Sequence, residues 1–205
     1  RYGLGTFGGK LFETSGSLSA YHSFRTRART RGDDFSFLKR KDSLKDIFLA
    51  PFNFNHLKKM NLSIPLATLL LARLSYSEKI SSYKTPFIER FNSTLNLSYL
   101  AATGEESLFR GWIMPTLHYG FEEPLTANII QSLIFGLAHY DGSTIPIVQT
   151  LMGFYFGYLS QEDGYSLKEP IFLHYWWDVI VFASNLLVPK PFQTELKLDL
   201  VKISF

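Results

Sequence analysis

Six residues in the second half of the chain carry a charge or an imidazole where their neighbours are apolar: Glu105, Glu106, Arg110, His139, His174 and Asp178. A charged side chain at the centre of an apolar helix costs about 2.5–3.5 kcal/mol on insertion scales, against about −0.5 kcal/mol for each Leu or Ile. The three charges between 105 and 110 therefore oppose burial by roughly 8–10 kcal/mol unless they meet partners or a wet cavity. Their spacing points to chemistry. Glu106 and Arg110 are four apart, so one helix face holds both and they can pair. Glu105 lies about 100° around the same helix and is left free, which makes it the candidate general base. Asp178 follows His174 by four, so both point the same way. A carboxylate beside a histidine can fix its tautomer, share a metal or bind a substrate oxygen. His139 follows Phe135 by four.

The elements that must position these residues are apolar stretches at 97–113, 125–140, 144–160 and 171–188, joined by short connectors rich in turn residues. Charge is distributed unevenly. Residues 1–60 hold 12 of the 21 Lys and Arg, whereas 125–160 hold none and a single acid, Asp141. The pattern predicts an all-α fold: a multi-pass transmembrane helical bundle whose C-terminal core has about four helices. Gly153 and Gly157 form a small-xxx-small pair that permits close helix approach. Residues 1–60 read as a basic, weakly ordered region, with Arg25, Arg27, Arg29 and Arg31 in a solvated run. Residues 61–94 read as a short apolar helix and a polar linker, 95–190 as the membrane core and 191–205 as a tail. The apolar stretch 61–72 rises only about 18 Å, against a hydrocarbon core of about 30 Å.

Aromatics at 16% fit a lipid-facing protein with interfacial rings. The absence of Cys excludes disulfides and thiolate metal sites. A net charge of +3, with no recognisable module beside the Arg run, argues against a nucleic-acid partner. The expected partners are a lipid bilayer and, from the resemblance given below, a peptide or protein substrate. Lys79, Lys84, Arg90, Lys190, Lys197 and Lys202 fall on one side if the four stretches alternate, which places both termini in the cytoplasm of a cell (inner) membrane. Simple alternation also sets His139 and His174 near opposite faces, so their convergence should require a re-entrant or broken segment around 160–172. His22, His56 and His118 read as surface or loop histidines.

Three runs, in order, carry a resemblance. Glu105-Glu106-Ser107-Leu108-Phe109-Arg110-Gly111 resembles the first motif of the CPBP family, the CAAX protease and bacteriocin-processing (Abi) intramembrane peptidases. Phe135-Gly136-Leu137-Ala138-His139 is similar to the second motif, and His174-Tyr175-Trp176-Trp177-Asp178 to the third, which ends in Asn or Asp. The resemblance covers about residues 95–190. It implies a helical membrane core with a cavity open to the cytoplasm, in which Glu105 activates water with help from His139 while His174 and Asp178 stabilise the oxyanion. A metal version can also be drawn, with Glu105, His139 and His174 as three Zn²⁺ ligands and water in the fourth position. A non-catalytic bacteriocin-immunity or interaction protein on the same scaffold, and a proton or ion carrier, are the competing functions.

Overall fold

The computed structural model describes residues 4–39, 42–75, 86–140, 142 and 145–187. The 191–205 tail, residues 76–85 of the polar linker and the loop lysines Lys79, Lys84, Lys190, Lys197 and Lys202 lie outside the described residues. The described residues are helical, without a strand. The α-helices are α1 (Leu4–Arg31), α2 (Leu44–Leu49), α3 (Met60–Ser75), α4 (Phe87–Leu108), α5 (Met114–Phe121), α6 (Pro124–Ala138), α7 (Ile147–Glu162) and α8 (Lys168–Leu187). A π-helical turn, Phe109–Ile113, joins α4 to α5.

The centre of the molecule is α8. Ile171, Phe172, Leu173, His174 and Tyr175 are all buried, so this stretch is covered on every side, as an interior helix must be. One apolar cluster joins Tyr21 of α1, Ala102 of α4 and Ile171, Tyr175 and Val179 of α8. Another joins Leu62 and Leu66 of α3, Phe156 and Leu159 of α7, and Phe172 and Leu173 of α8. Asp42 caps the entry to α8: its carboxylate accepts from the Leu167 backbone N–H at 2.6 Å and the Ser166 hydroxyl at 3.2 Å.

Helices α6 and α7 are turned inside out relative to a water-soluble bundle. The inward face of α6 carries Asn128, Gln131, Ser132 and Phe135, while Leu125, Ile129, Leu133 and Leu137 point outward. On α7, Gln149 and Ser160 are buried while Ile147, Leu151, Phe154 and Tyr158 are exposed. The two helices touch through glycine. A Cβ on Gly157 would sit 1.9 Å from Asn128 Oδ1, and one on Gly153 would sit 3.1 Å from the Phe135 ring. The Gly153–Gly157 pair thus sets the α6–α7 approach. No helix among the described residues is long and apolar enough to cross a membrane. Helices α6 and α7 are too short, their 15 and 16 residues rising about 23–24 Å, whereas α1, α4 and α8, with 28, 22 and 20 residues, have the length and not the apolarity.

The N-terminal region departs most from the sequence reading. Expected to be weakly ordered, it forms a helix of 28 residues. Thr14, Ser17, Tyr21, Phe24 and Ala28 are buried in a 3-4-3-4 rhythm that lays α1 along α4. The glycines of α4 and the π turn make room for it. A Cβ on Gly104 would meet Thr14 Oγ1 at 2.8 Å and Thr14 Cα at 3.0 Å, and one on Gly111 would meet the Tyr21 ring at 2.5 Å. Arg25, read as one of a solvated run, is buried, and its Nη2 donates to the Tyr165 carbonyl at 2.6 Å.

Candidate active site

Glu105 and Glu106 occupy the last turn of α4, one residue pair before the chain widens into the π turn that carries Arg110. Pro115, just inside α5, has no N–H to return to Gly111. The widened turn before it lets the chain continue without that donor, and π turns of this kind concentrate at functional sites. Arg110 is fully buried. Its Nη1 donates to Glu106 Oε1 at 3.0 Å and its Nη2 to the Gly153 carbonyl at 2.7 Å, while its guanidinium lies 4.4 Å from the centre of the Phe135 ring. The i, i+4 pairing expected between Glu106 and Arg110 is present.

The two carboxylates do different work. Glu106 faces inward. Besides Arg110, its Oε1 accepts from His174 Nδ1 at 2.7 Å. A carboxylate paired with Arg can only accept, so the proton on Nδ1 is fixed and His174 presents Nε2 to the opposite side. Glu105 faces the other histidine. Its Oε2 lies 3.5 Å from His139 Nε2 and 3.9 Å from His174 Nε2. His139 sits at the C-terminal end of α6, where its Nδ1 donates to the Phe135 carbonyl at 2.8 Å. That bond folds the ring back over Phe135, at 4.5 Å between centroids, and again leaves Nε2 free. Asp178 Oδ2 is 3.6 Å from His174 Nε2. The two histidines expected on opposite faces therefore meet at Glu105. The chain breaks between α7 and α8 at residues 163–167, inside the 160–172 stretch where a break was expected, as a short turn.

Residues 89–180, which bracket all six of these side chains, match the family model described as type II CAAX prenyl endopeptidase, Rce1-like. That stretch is similar to the CAAX protease family. Comparison with curated proteins and with solved structures finds no match. α1, α2 and α3 precede the stretch that matches the CAAX protease model.

One residue at this candidate site has no counterpart in the sequence reading. Lys10 of α1 places Nζ 2.8 Å from Glu105 Oε1, so the glutamate read as free is paired on one oxygen. Its other oxygen, Oε2, is buried and has no hydrogen-bond partner among the described residues. Ninety-five positions separate Lys10 from Glu105, and no local spacing rule spans them. The signal was the 3-4 rhythm of α1, in which Lys10 stands four before Thr14. Two histidines read as surface or loop residues are also more enclosed. His56 is buried against the Phe172 ring at 5.2 Å, and His118 Nδ1 lies 2.5 Å from the Tyr165 hydroxyl.

The same atoms are the donors a metal would need. Two free imidazole Nε2 atoms and a carboxylate oxygen are the right chemistry for Zn²⁺. On a tetrahedral ion with bonds of about 2.0–2.1 Å, however, ligand atoms stand about 3.3 Å apart. The separations here are wider, and the Lys10 ammonium already holds the same carboxylate. Among the described residues, no three His, Asp or Glu side chains are gathered closely enough to hold a metal ion. The side-chain arrangement does not fit one, and no step is derived through one.

Proposed function

We propose that this chain is a bilayer-embedded endopeptidase that hydrolyses a peptide bond in a membrane-associated protein or peptide, with Glu105 as the base that activates water. The observation that carries the reading is Glu105 Oε2: a buried carboxylate oxygen without a hydrogen-bond partner, facing the free Nε2 atoms of two histidines. A water placed there touches a base and two imidazoles at once. Glu105 takes its proton as oxygen attacks the scissile carbonyl, with His139 assisting the transfer through Nε2, and returns that proton to the amide nitrogen as the C–N bond breaks and the amine leaves. His174, held at Nδ1 by Glu106, turns Nε2 to the same space. As the imidazolium it donates to the oxyanion. Asp178 joins that donation only as the neutral acid, since an ionised carboxylate has no proton to give. Glu106 and Arg110 do not reach the water. They position His174 and anchor the π turn to α7 through Gly153.

Two features support the bilayer. The first is the reversed polarity of α6 and α7, whose outward stripes of Leu, Ile and Phe suit lipid and whose inward amides suit one another. The second is the family match itself. Helices of 15 and 16 residues meet a bilayer by thinning it locally or by entering it partway. The orientation with both termini in the cytoplasm rests on the loop lysines. The test is the purified chain in phosphatidylcholine–phosphatidylglycerol vesicles, offered a fluorescence-quenched peptide with a prenylated C-terminal cysteine motif. Release of a C-terminal fragment supports the reading. An intact peptide, together with function that persists when Glu105 and His139 are replaced, favours the non-catalytic interaction protein.

A further inference from the structure

Lys10 stands outside the family-matched segment yet touches the proposed base. Its place is built by the fold. It lies on the buried stripe of α1, four residues before Thr14, whose hydroxyl donates to the Leu100 carbonyl at 2.9 Å on α4. Gly104, next to Glu105, lets the two backbones close on each other at that point. The ammonium then reaches one oxygen of Glu105 and leaves the other bare toward His139 and His174. A carboxylate held by one oxygen cannot swing about its last torsion, whose energy profile is otherwise broad.

We infer that Lys10 is a positioning residue of the active site: it pins Glu105 through Oε1 so that Oε2 alone faces the water between the two imidazoles. The role rests on the peptidase reading above. It differs from a purely structural ion pair that docks α1, because a docking pair acts on stability, whereas a positioning residue acts on the chemical step. Misplacing a catalytic group by about 1 Å costs on the order of a hundredfold in rate. The N-terminal helix is thus part of the enzyme's working machinery and not only a cover for α4.

The experiment measures kcat and KM of wild type, Lys10→Met and Lys10→Arg on the quenched prenylated peptide in vesicles, with thermal unfolding of each. We expect Lys10→Met to lower kcat on the order of tenfold to a hundredfold with KM unchanged, and to melt with the wild type. Lys10→Arg, which restores a cation at that oxygen, should return kcat to within about fivefold of wild type. If Lys10→Met turns over at the wild-type rate, or if its loss tracks a drop in melting temperature that Arg does not repair, the inference is overturned while the peptidase reading stands. A wild-type chain that leaves the peptide intact overturns the reading and the inference together.

Discussion

The matched core, residues 89–180, and the N-terminal region before it solve opposite problems with the same helical geometry. On α6 the core hides Asn128, Gln131 and Ser132 and shows Leu125, Ile129, Leu133 and Leu137. The N-terminal helix α1 begins in the same way, with Thr14 and Ser17 buried and Phe7, Leu11 and Phe12 exposed, but from its middle onward it hides Tyr21, Phe24 and Ala28 and leaves Arg27, Arg29 and Arg31 outside. The first pattern suits an apolar surrounding and the second suits water or a charged surface. The difference locates the division of labour. The core supplies the proposed reacting groups from three helices, α4, α6 and α8, that the bundle brings together. The front supplies a constraint on one of those groups from far away in sequence.

That division can be broken from either side. The largest effect is expected inside the core. Arg110→Met leaves Glu106 buried without its cationic partner and leaves the Gly153 carbonyl with Gln131 as its one side-chain donor among the described residues. Removing one member of a buried pair costs about 3–5 kcal/mol, so thermal or denaturant unfolding should show a large loss, with cleavage abolished. A smaller effect is expected at the seam. Gly104→Val places methyl groups into the Thr14 backbone, and overpacking of this kind costs about 1–3 kcal/mol. Because it pushes α1 away, cleavage should fall with stability, and limited proteolysis should cut α1 sooner than the core. If Gly104→Val leaves cleavage untouched, the front is dispensable and the division is drawn too generously.

The smallest effect sharpens the comparison at the edge of the core. Glu123 caps α6, accepting from the backbone N–H groups of Thr126 at 2.5 Å and Leu125 at 3.1 Å. These bonds, the one from Thr126 first, hold its carboxyl below the usual glutamate range. The stabilisation is therefore present above the ordinary glutamate pKa and is lost as pH falls through the lowered one. Melting temperatures of wild type and Glu123→Gln should differ slightly at pH 7 and converge in acid. A gap that widens in acid would contradict the cap.

The same comparison explains what the sequence could tell. The pairing of Glu106 with Arg110 and the shared face of His174 and Asp178 were legible because both follow from a spacing of four. The approach of α7 to α6 was legible in Gly153 and Gly157. Three things were not. The π turn at 109–113 depends on where Pro115 withholds a donor, and hydrophobic periodicity does not register it. The convergence of His139 with His174 depends on a ring folded back at a helix end, where alternation along the chain says nothing. The helix α1 was hidden by composition. Its buried stripe begins with Lys10, Thr14 and Ser17, polar residues that a search for apolar rhythm passes over, and the arginines beside it read as a loose arm. Lys10 was lost with it.

The most direct measurement is the turnover number of Glu105→Gln in vesicles against the prenylated peptide, on protein shown by its melting curve to be folded. Glutamine keeps the shape and cannot take a proton from water, so kcat should fall by at least about a thousandfold with folding retained. Turnover within about tenfold of wild type would contradict the assignment of Glu105 as the base.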